Sequence, residues 1–137
     1  MSRVILDTGP LIAFLDVRES CNAWAVEWFD KLEPPLLTCD AVLAEATFLL
    51  KRVGKPPELP LEMVSRGMIK SVYSVDRDAR ALTNMIQRYR NVPMSLADAC
   101  LVRMAEIYDD ASVMTMDSDF TVYRKFERQV IPVIMPE

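Results

Sequence analysis

Four carboxylates, Asp7, Glu45, Asp98 and Asp117, each stand beside or inside an apolar run. Asp7 ends Val4-Ile5-Leu6, Glu45 separates Ala41-Val42-Leu43-Ala44 from Ala46-Thr47-Phe48-Leu49-Leu50, Asp98 lies within Leu96-Ala97-Asp98-Ala99, and Asp117 follows Val113-Met114-Thr115-Met116. The sequence has no histidine, which removes imidazole both as general base and as metal ligand. Carboxylates brought together raise one another's pKa and stay ionised only beside a compensating cation. A donor set of hard oxygens, without imidazole or thiolate, selects magnesium or manganese over zinc. In phosphodiester hydrolysis one such ion activates water while a second, about 4 Å away, stabilises the leaving oxygen. No protein base is then required.

Each acid also has a local explanation. Asp7 suits the cap of a helix beginning near Pro10. Glu45 suits the exposed stripe of an amphipathic helix. Ser95-x-x-Asp98 reads as a capping box with aspartate in the usual glutamate place. Asp117 and Asp119 flank a strand-to-helix turn, Asp119 fitting a cap before Phe120. Local rules do not require the joint pattern. A strand end, a helix, a helix start and a second strand end each supply one acid to the same sheet edge.

The elements that must position these residues follow from periodicity. Residues 3–7 form a short buried strand, and Thr8-Gly9-Pro10 turns into a helix. Ser20 is the expected cap of an apolar helix that stops at Pro34-Pro35. Leu36-Leu37-Thr38 is the next strand, and Asp40 caps a helix carrying Glu45. After the break at Gly54-Lys55-Pro56-Pro57-Glu58-Leu59-Pro60, a short helix is expected over 61–69 and an alternating strand over 71–75. Asp76 then caps a helix running to Tyr89, and Ser95-Leu96-Ala97-Asp98 opens another through Ile107. Residues 112–116 make a fourth strand, followed by a short helix over 122–126. A last strand over 130–135, broken by Pro132, belongs at a sheet edge. Strands alternating with helices predict a three-layer α/β/α sandwich on a mainly parallel sheet of about five strands. Ligands of such sheets gather beyond the strand carboxyl ends, where Asp7 and Asp117 fall.

Length and charge narrow the possibilities. The 137 residues fit one domain spanning 1–137, just over half of them apolar, which excludes a disordered or low-complexity chain. No apolar run approaches the roughly 18 residues of a membrane span, and Asp7 comes too early for a secretory signal, so a cytoplasmic location is expected. Cys21, Cys39 and Cys100 are odd in number and widely spaced, which fits reduced, partly buried thiols. The net charge of −4 argues against a broad basic face for nucleic acid. The excess is nevertheless localised in principle: setting the four acids aside leaves 16 acidic residues against 16 basic. The small basic clusters Lys51-Arg52, Arg88-Tyr89-Arg90 and Arg124-Lys125 read as solvated faces. The proline-rich segment 54–69, with Met63 and Met68, reads either as a partner surface or as core packing.

The pieces Val4-Ile5-Leu6-Asp7-Thr8, Leu43-Ala44-Glu45, Leu96-Ala97-Asp98-Ala99 and Met114-Thr115-Met116-Asp117-Ser118-Asp119-Phe120, in this order and at these distances, resemble the PIN-domain family. More narrowly they resemble the VapC-type toxins of prokaryotic toxin–antitoxin pairs. The resemblance implies a metal-dependent endoribonuclease in which Asp7, Glu45, Asp98 and Asp117 form the acidic site for Mg2+ or Mn2+. It implies that Asp119 assists there and that Thr115, and similarly Thr8, are supporting hydroxyls, Thr115 orienting a carboxylate or water. It further implies an RNA substrate, a homodimer and an antitoxin partner. A noncatalytic PIN scaffold and an RNA-processing nuclease without a toxin role are the alternatives. A haloacid-dehalogenase-like phosphatase needs a second aspartate two residues after the first, where Gly9 stands. A receiver domain needs an early acidic pair and a phosphoacceptor aspartate ending a middle strand, where Ser74-Val75-Asp76 is a poor fit with no matching partner cluster.

Overall fold

The computed structural model describes residues 3–137. Its elements run β1 (Val4–Leu6), α1 (Thr8–Leu15), α2 (Asn22–Lys31), β2 (Leu36–Thr38), α3 (Asp40–Arg52), α4 (Leu59–Ser65), β3 (Ile69–Ser71), α5 (Ala79–Arg88), α6 (Leu96–Ile107), β4 (Ser112–Met114), β5 (Arg124–Lys125), β6 (Gln129–Val130) and β7 (Val133–Ile134). Five strands form one sheet in the order β3-β2-β1-β4-β7, every neighbouring pair parallel. A separate two-stranded antiparallel ribbon pairs β5 with β6.

Alternation along the strands splits the core into two layers. Val4 and Leu6 pack with Leu11, Ile12, Leu43, Leu50 and Met63 on the face covered by α1 to α4. Ile5 and Val113 pack with Leu82, Met85, Leu101, Met104, Phe120 and Tyr123 on the face covered by α5 and α6. The fold is thus the expected α/β/α sandwich, with the strand carboxyl ends along one rim. All three cysteines are free thiols, Cys39 and Cys100 buried. No helix among the described residues is long and apolar enough to cross a membrane.

Several local expectations are corrected. The third strand is Ile69–Ser71, pairing Leu36 with Ile69 and Thr38 with Ser71, and not the alternating run 71–75. Helix α4 stops at Ser65 because Gly67, at φ +77°, reverses the chain, with its N–H donating to Val64 O and that of Met68 to Met63 O. Ile69 is therefore delivered to the ladder four residues after the helix, two residues earlier than expected. Ser20 does not cap α2, whose first turn has no side-chain cap, and Asp76 lies inside a 3-10 turn, Val75–Arg77, that precedes α5. Asp40 is the first residue of α3 and its side chain makes no capping bond. The helix expected over 122–126 is absent. The 3-10 turn Ser118–Thr121 ends where Arg124 donates from Nη1 to the carbonyls of Thr121, Val122 and Tyr123, and the chain then enters the β5–β6 ribbon. The last strand is split at Pro132, which has no N–H to donate, so that β6 joins the ribbon and β7 the sheet edge. Lys125 is buried and not on a solvated face, held by the backbone and side-chain oxygens of Asp109 at 3.1 and 3.0 Å. Met63 and Met68 both pack into the core beside α1 and α3.

Candidate functional site

The rim beyond β1 and β4 is built around one buried hydroxyl. The Asp7 N–H donates to Met114 O at 3.0 Å, extending the β1–β4 ladder by one rung. Asp7 then caps α1, its Oδ1 accepting the Thr8 N–H at 2.8 Å. Its Oδ2 accepts from the fully buried Thr115 hydroxyl at 2.7 Å. The same hydroxyl oxygen accepts the Asp117 N–H at 3.0 Å, and Asp117 Oδ1 accepts the Asp119 N–H at 2.9 Å. Thr115 therefore fixes the two strand-end acids relative to each other. Gly9 permits this closeness, since a Cβ there would meet Met116 Cβ at 3.3 Å.

Helices supply the other two acids. Asp98 sits in the third position of α6, where the Ser95 hydroxyl accepts its N–H and its own carboxylate faces the Ser95 N–H, completing the capping box. The local explanation is thus correct and incomplete. Asp98 Oδ2 also accepts from the Tyr123 hydroxyl at 2.9 Å, and the residue is only half-buried. Glu45 projects from the exposed side of α3, as a solvated stripe predicts, and that side overlooks the same cleft.

Asp7, Thr8, Glu45, Asp98 and Asp117 all line one open cleft of about 680 Å³. Its remaining lining comes from Gly9, Ile12, Glu19, Leu49, Ser95, Met116 and Ser118. No lysine or arginine among the described residues lines it. Thr115 lies beneath the floor, and Asp119 is not on the wall, reaching the site through its backbone N–H to Asp117. Among the described residues no three acidic or cysteine side chains converge closely enough to enclose a single ion. The acids are spread around the walls.

Burial and like charge set the electrostatics. Burial pushes the Asp7 carboxyl up to about 6; the Thr115 hydroxyl and Thr8 N–H oppose that rise, while Asp98 and Glu45 add to it. The Asp98 carboxyl is also raised, first by burial, against the bonds from Tyr123 and Ser95, with Asp117 adding to the rise. Thr8 Oγ1 is buried without a hydrogen-bond partner. Hard oxygens, an unmet hydroxyl and no lining cation among the described residues are what a divalent metal ion would satisfy.

Two residues at the site were not identified from sequence. Glu19 is a fifth acid on the cleft wall, but in the polar stretch Asp16-Val17-Arg18-Glu19 nothing separates it from an ordinary loop glutamate. Tyr123, fully buried, reads as a core aromatic, and its partner lies 25 residues away.

A PIN domain model matches residues 4–125, a span that holds every site residue described above, and the chain belongs to the PIN domain family. Among curated proteins it is similar to Ribonuclease VapC26 of Mycobacterium tuberculosis (strain ATCC 25618 / H37Rv), at 27% identity over 116 residues covering 83% of this chain and 86% of that protein.

Proposed function

We propose that the chain is a metal-dependent endoribonuclease that hydrolyses RNA phosphodiester bonds, the toxin component of a type II toxin–antitoxin pair. The observation that carries this reading is an acidic cleft, lined by no lysine or arginine among the described residues, at the strand carboxyl ends of a PIN fold. The similarity to a protein named as a ribonuclease supports the reaction class. The resemblance to VapC-type toxins extends the reading to an antitoxin partner and a homodimer.

In this reading Asp7, Glu45, Asp98 and Asp117 would hold Mg2+ or Mn2+, hard cations suited to carboxylate oxygens. A divalent cation bound there supplies a Lewis acid for the phosphoryl oxygens and water of lowered pKa. The chain's own part is placement. Thr115 aims Asp7, the Asp119 N–H holds one oxygen of Asp117, and Thr8 offers its unpartnered hydroxyl. The acidic wall repels phosphate until the carboxylates are neutralised, so substrate binding is coupled to cation binding.

A second reading, a noncatalytic scaffold, draws on the same spread of acids, which leaves no closed single-ion cage. One experiment separates the two. Purified protein is incubated with a mixed RNA pool in Mg2+, in Mn2+ and in chelator, beside Asp7→Asn and Asp98→Asn. Cleavage that needs metal and disappears in both variants is the expected outcome. RNA left intact in every condition, with no thermal stabilisation by either ion, would overturn the nuclease reading in favour of the scaffold.

A further inference from the structure

We infer that Tyr123 is a positioning residue for Asp98: its phenol holds Oδ2 inside the fold so that Oδ1 is the oxygen offered to the cleft. The inference rests on the reading above, in which Asp98 helps to hold a divalent cation, and adds a residue from outside the cleft wall to that function.

The geometry is specific. Tyr123 is fully buried, and its hydroxyl donates to Asp98 Oδ2 at 2.9 Å, whereas the Ser95 N–H approaches the same oxygen only at 3.5 Å. The phenol is therefore the stronger hold. Oδ1 accepts no hydrogen bond from the described residues. The ring itself has little freedom. It meets Phe120 edge-on at 5.2 Å and Tyr89 at 5.1 Å, its own N–H donates to Asp119 O, and the Tyr89 hydroxyl accepts the N–H of the next residue, Arg124. A hydroxyl fixed from both sides can fix a carboxylate.

The arrangement repeats the one at Asp7, where the buried Thr115 hydroxyl holds Oδ2. Two of the site's acids, Asp7 and Asp98, are thus gripped from behind by a hydroxyl that never reaches solvent. A carboxylate gripped on one oxygen enters the site with a set orientation, whereas a free one would swing between one- and two-oxygen ligation and lose that entropy on binding. The partner of the Tyr123 phenol is an acid on the cleft wall.

The test is Tyr123→Phe, which keeps the ring and removes the hydroxyl, with Tyr73→Phe as a control that removes a phenol bonded to Asp78, a carboxylate outside the cleft. Mn2+ affinity is measured by calorimetry, RNA cleavage at limiting and saturating Mn2+, and folding by melting in chelator. The expected result is Mn2+ binding weakened by about tenfold or more in Tyr123→Phe, in the range of lost outer-shell partners. Cleavage should be largely recovered at saturating Mn2+, and Tyr73→Phe should match the parent in Mn2+ affinity and cleavage. In an Asp98→Asn background the same change should cause no further loss. Parent-like Mn2+ affinity in Tyr123→Phe overturns the inference whether or not the melting temperature falls, as does loss of cooperative melting, which would mark the phenol as structural. A parent protein that neither binds Mn2+ nor cleaves RNA overturns the nuclease reading itself, and this inference with it.

Discussion

Asp7 and Asp16 sit at the two ends of α1, exposed by only 7% and 4%, and the fold handles their charges in opposite ways. A helix favours an acid at its amino end and disfavours one at its carboxyl end, so the dipole alone would make Asp7 the comfortable partner. The order is reversed. Arg18 lowers the Asp16 carboxyl by gripping it with Nε at 3.0 Å and Nη2 at 3.1 Å, helped by its own backbone N–H and by Lys55 at 4.0 Å. The same guanidinium donates to Val53 O at 3.0 Å, tying the ends of α1 and α3 together. Among the described residues Asp7 receives two hydrogen bonds and no cation, and faces Asp98 and Glu45 as well. A structural acid is neutralised within the chain. An acid without such a partner, on a cleft wall, is left for something from outside.

The comparison breaks most visibly at Asp7. Asp7→Asn retains the acceptor for the Thr8 N–H and leaves Thr115 able to accept from the new amide, so the shape of the site persists. Cleavage should fall by more than the roughly 100-fold that outer-shell changes cost at metal sites, because a primary carboxylate is lost. The metal-free protein should at the same time become more stable. The gap from 3.8 to about 6 at Asp7 corresponds to roughly 3 kcal/mol of penalty for ionising it at neutral pH. Assays of RNA cleavage and chemical denaturation in chelator check both halves. An Asp7→Asn protein less stable than the parent would mean that Asp7 is a structural cap like Asp16 and not a residue held ready.

Acidity sharpens the contrast, because the two acids contribute in different windows. Asp7 is raised on folding, so between about pH 4 and pH 6 the folded chain holds a proton that the unfolded chain has released, and its stability falls as pH rises through that window. Asp16 is lowered, so its contribution is present above the unfolded value and is lost as pH falls through the lower folded one. Metal-free protein should therefore melt higher at pH 5 than at pH 7, and Asp7→Asn should flatten that difference. Mn2+ at saturation should reverse it, since the ion binds the ionised carboxylate. Melting curves across pH in chelator and in Mn2+ decide the matter.

The same two acids differ in how far the amino-acid sequence alone reveals their roles. Asp7 was legible because it closes a β-branched run in a position where the sheet places ligands, and because three other acids fall at comparable places. The order of strands and helices was legible for the same reason, as periodicity marks elements wherever one face is buried. Asp16, by contrast, carried no signal: its worth depends on Arg18 folding back on it and on Val53 lying alongside. Tyr123 escaped because a core aromatic and a carboxylate anchor have the same local pattern. The third strand differs for a local reason: alternation marks 71–75, but the reversal at Gly67 starts the ladder at Ile69. The short helix expected over 122–126 does not form, because the carbonyls of Thr121, Val122 and Tyr123 are taken by one Arg124 side chain. Local pattern identifies elements, and distant side chains decide where they stop.

The smallest expected effect completes the comparison from the other end. Asp16→Asn removes a charge whose cation lies within the chain, so Arg18 loses a two-pronged partner and the α1–α3 junction loosens. Arg18 is itself 60% exposed, so water compensates for much of the lost attraction. A melting temperature lower by a few degrees is the expected result for a chain of this size. Metal-dependent cleavage below that temperature should match the parent, because Asp16 does not line the cleft. The effect should appear equally in chelator and in Mn2+, which sets it apart from every change at Asp7. Loss of cleavage with an unchanged melting temperature would place Asp16 in the site and erase the distinction between an acid the chain neutralises and an acid it leaves exposed to a cation.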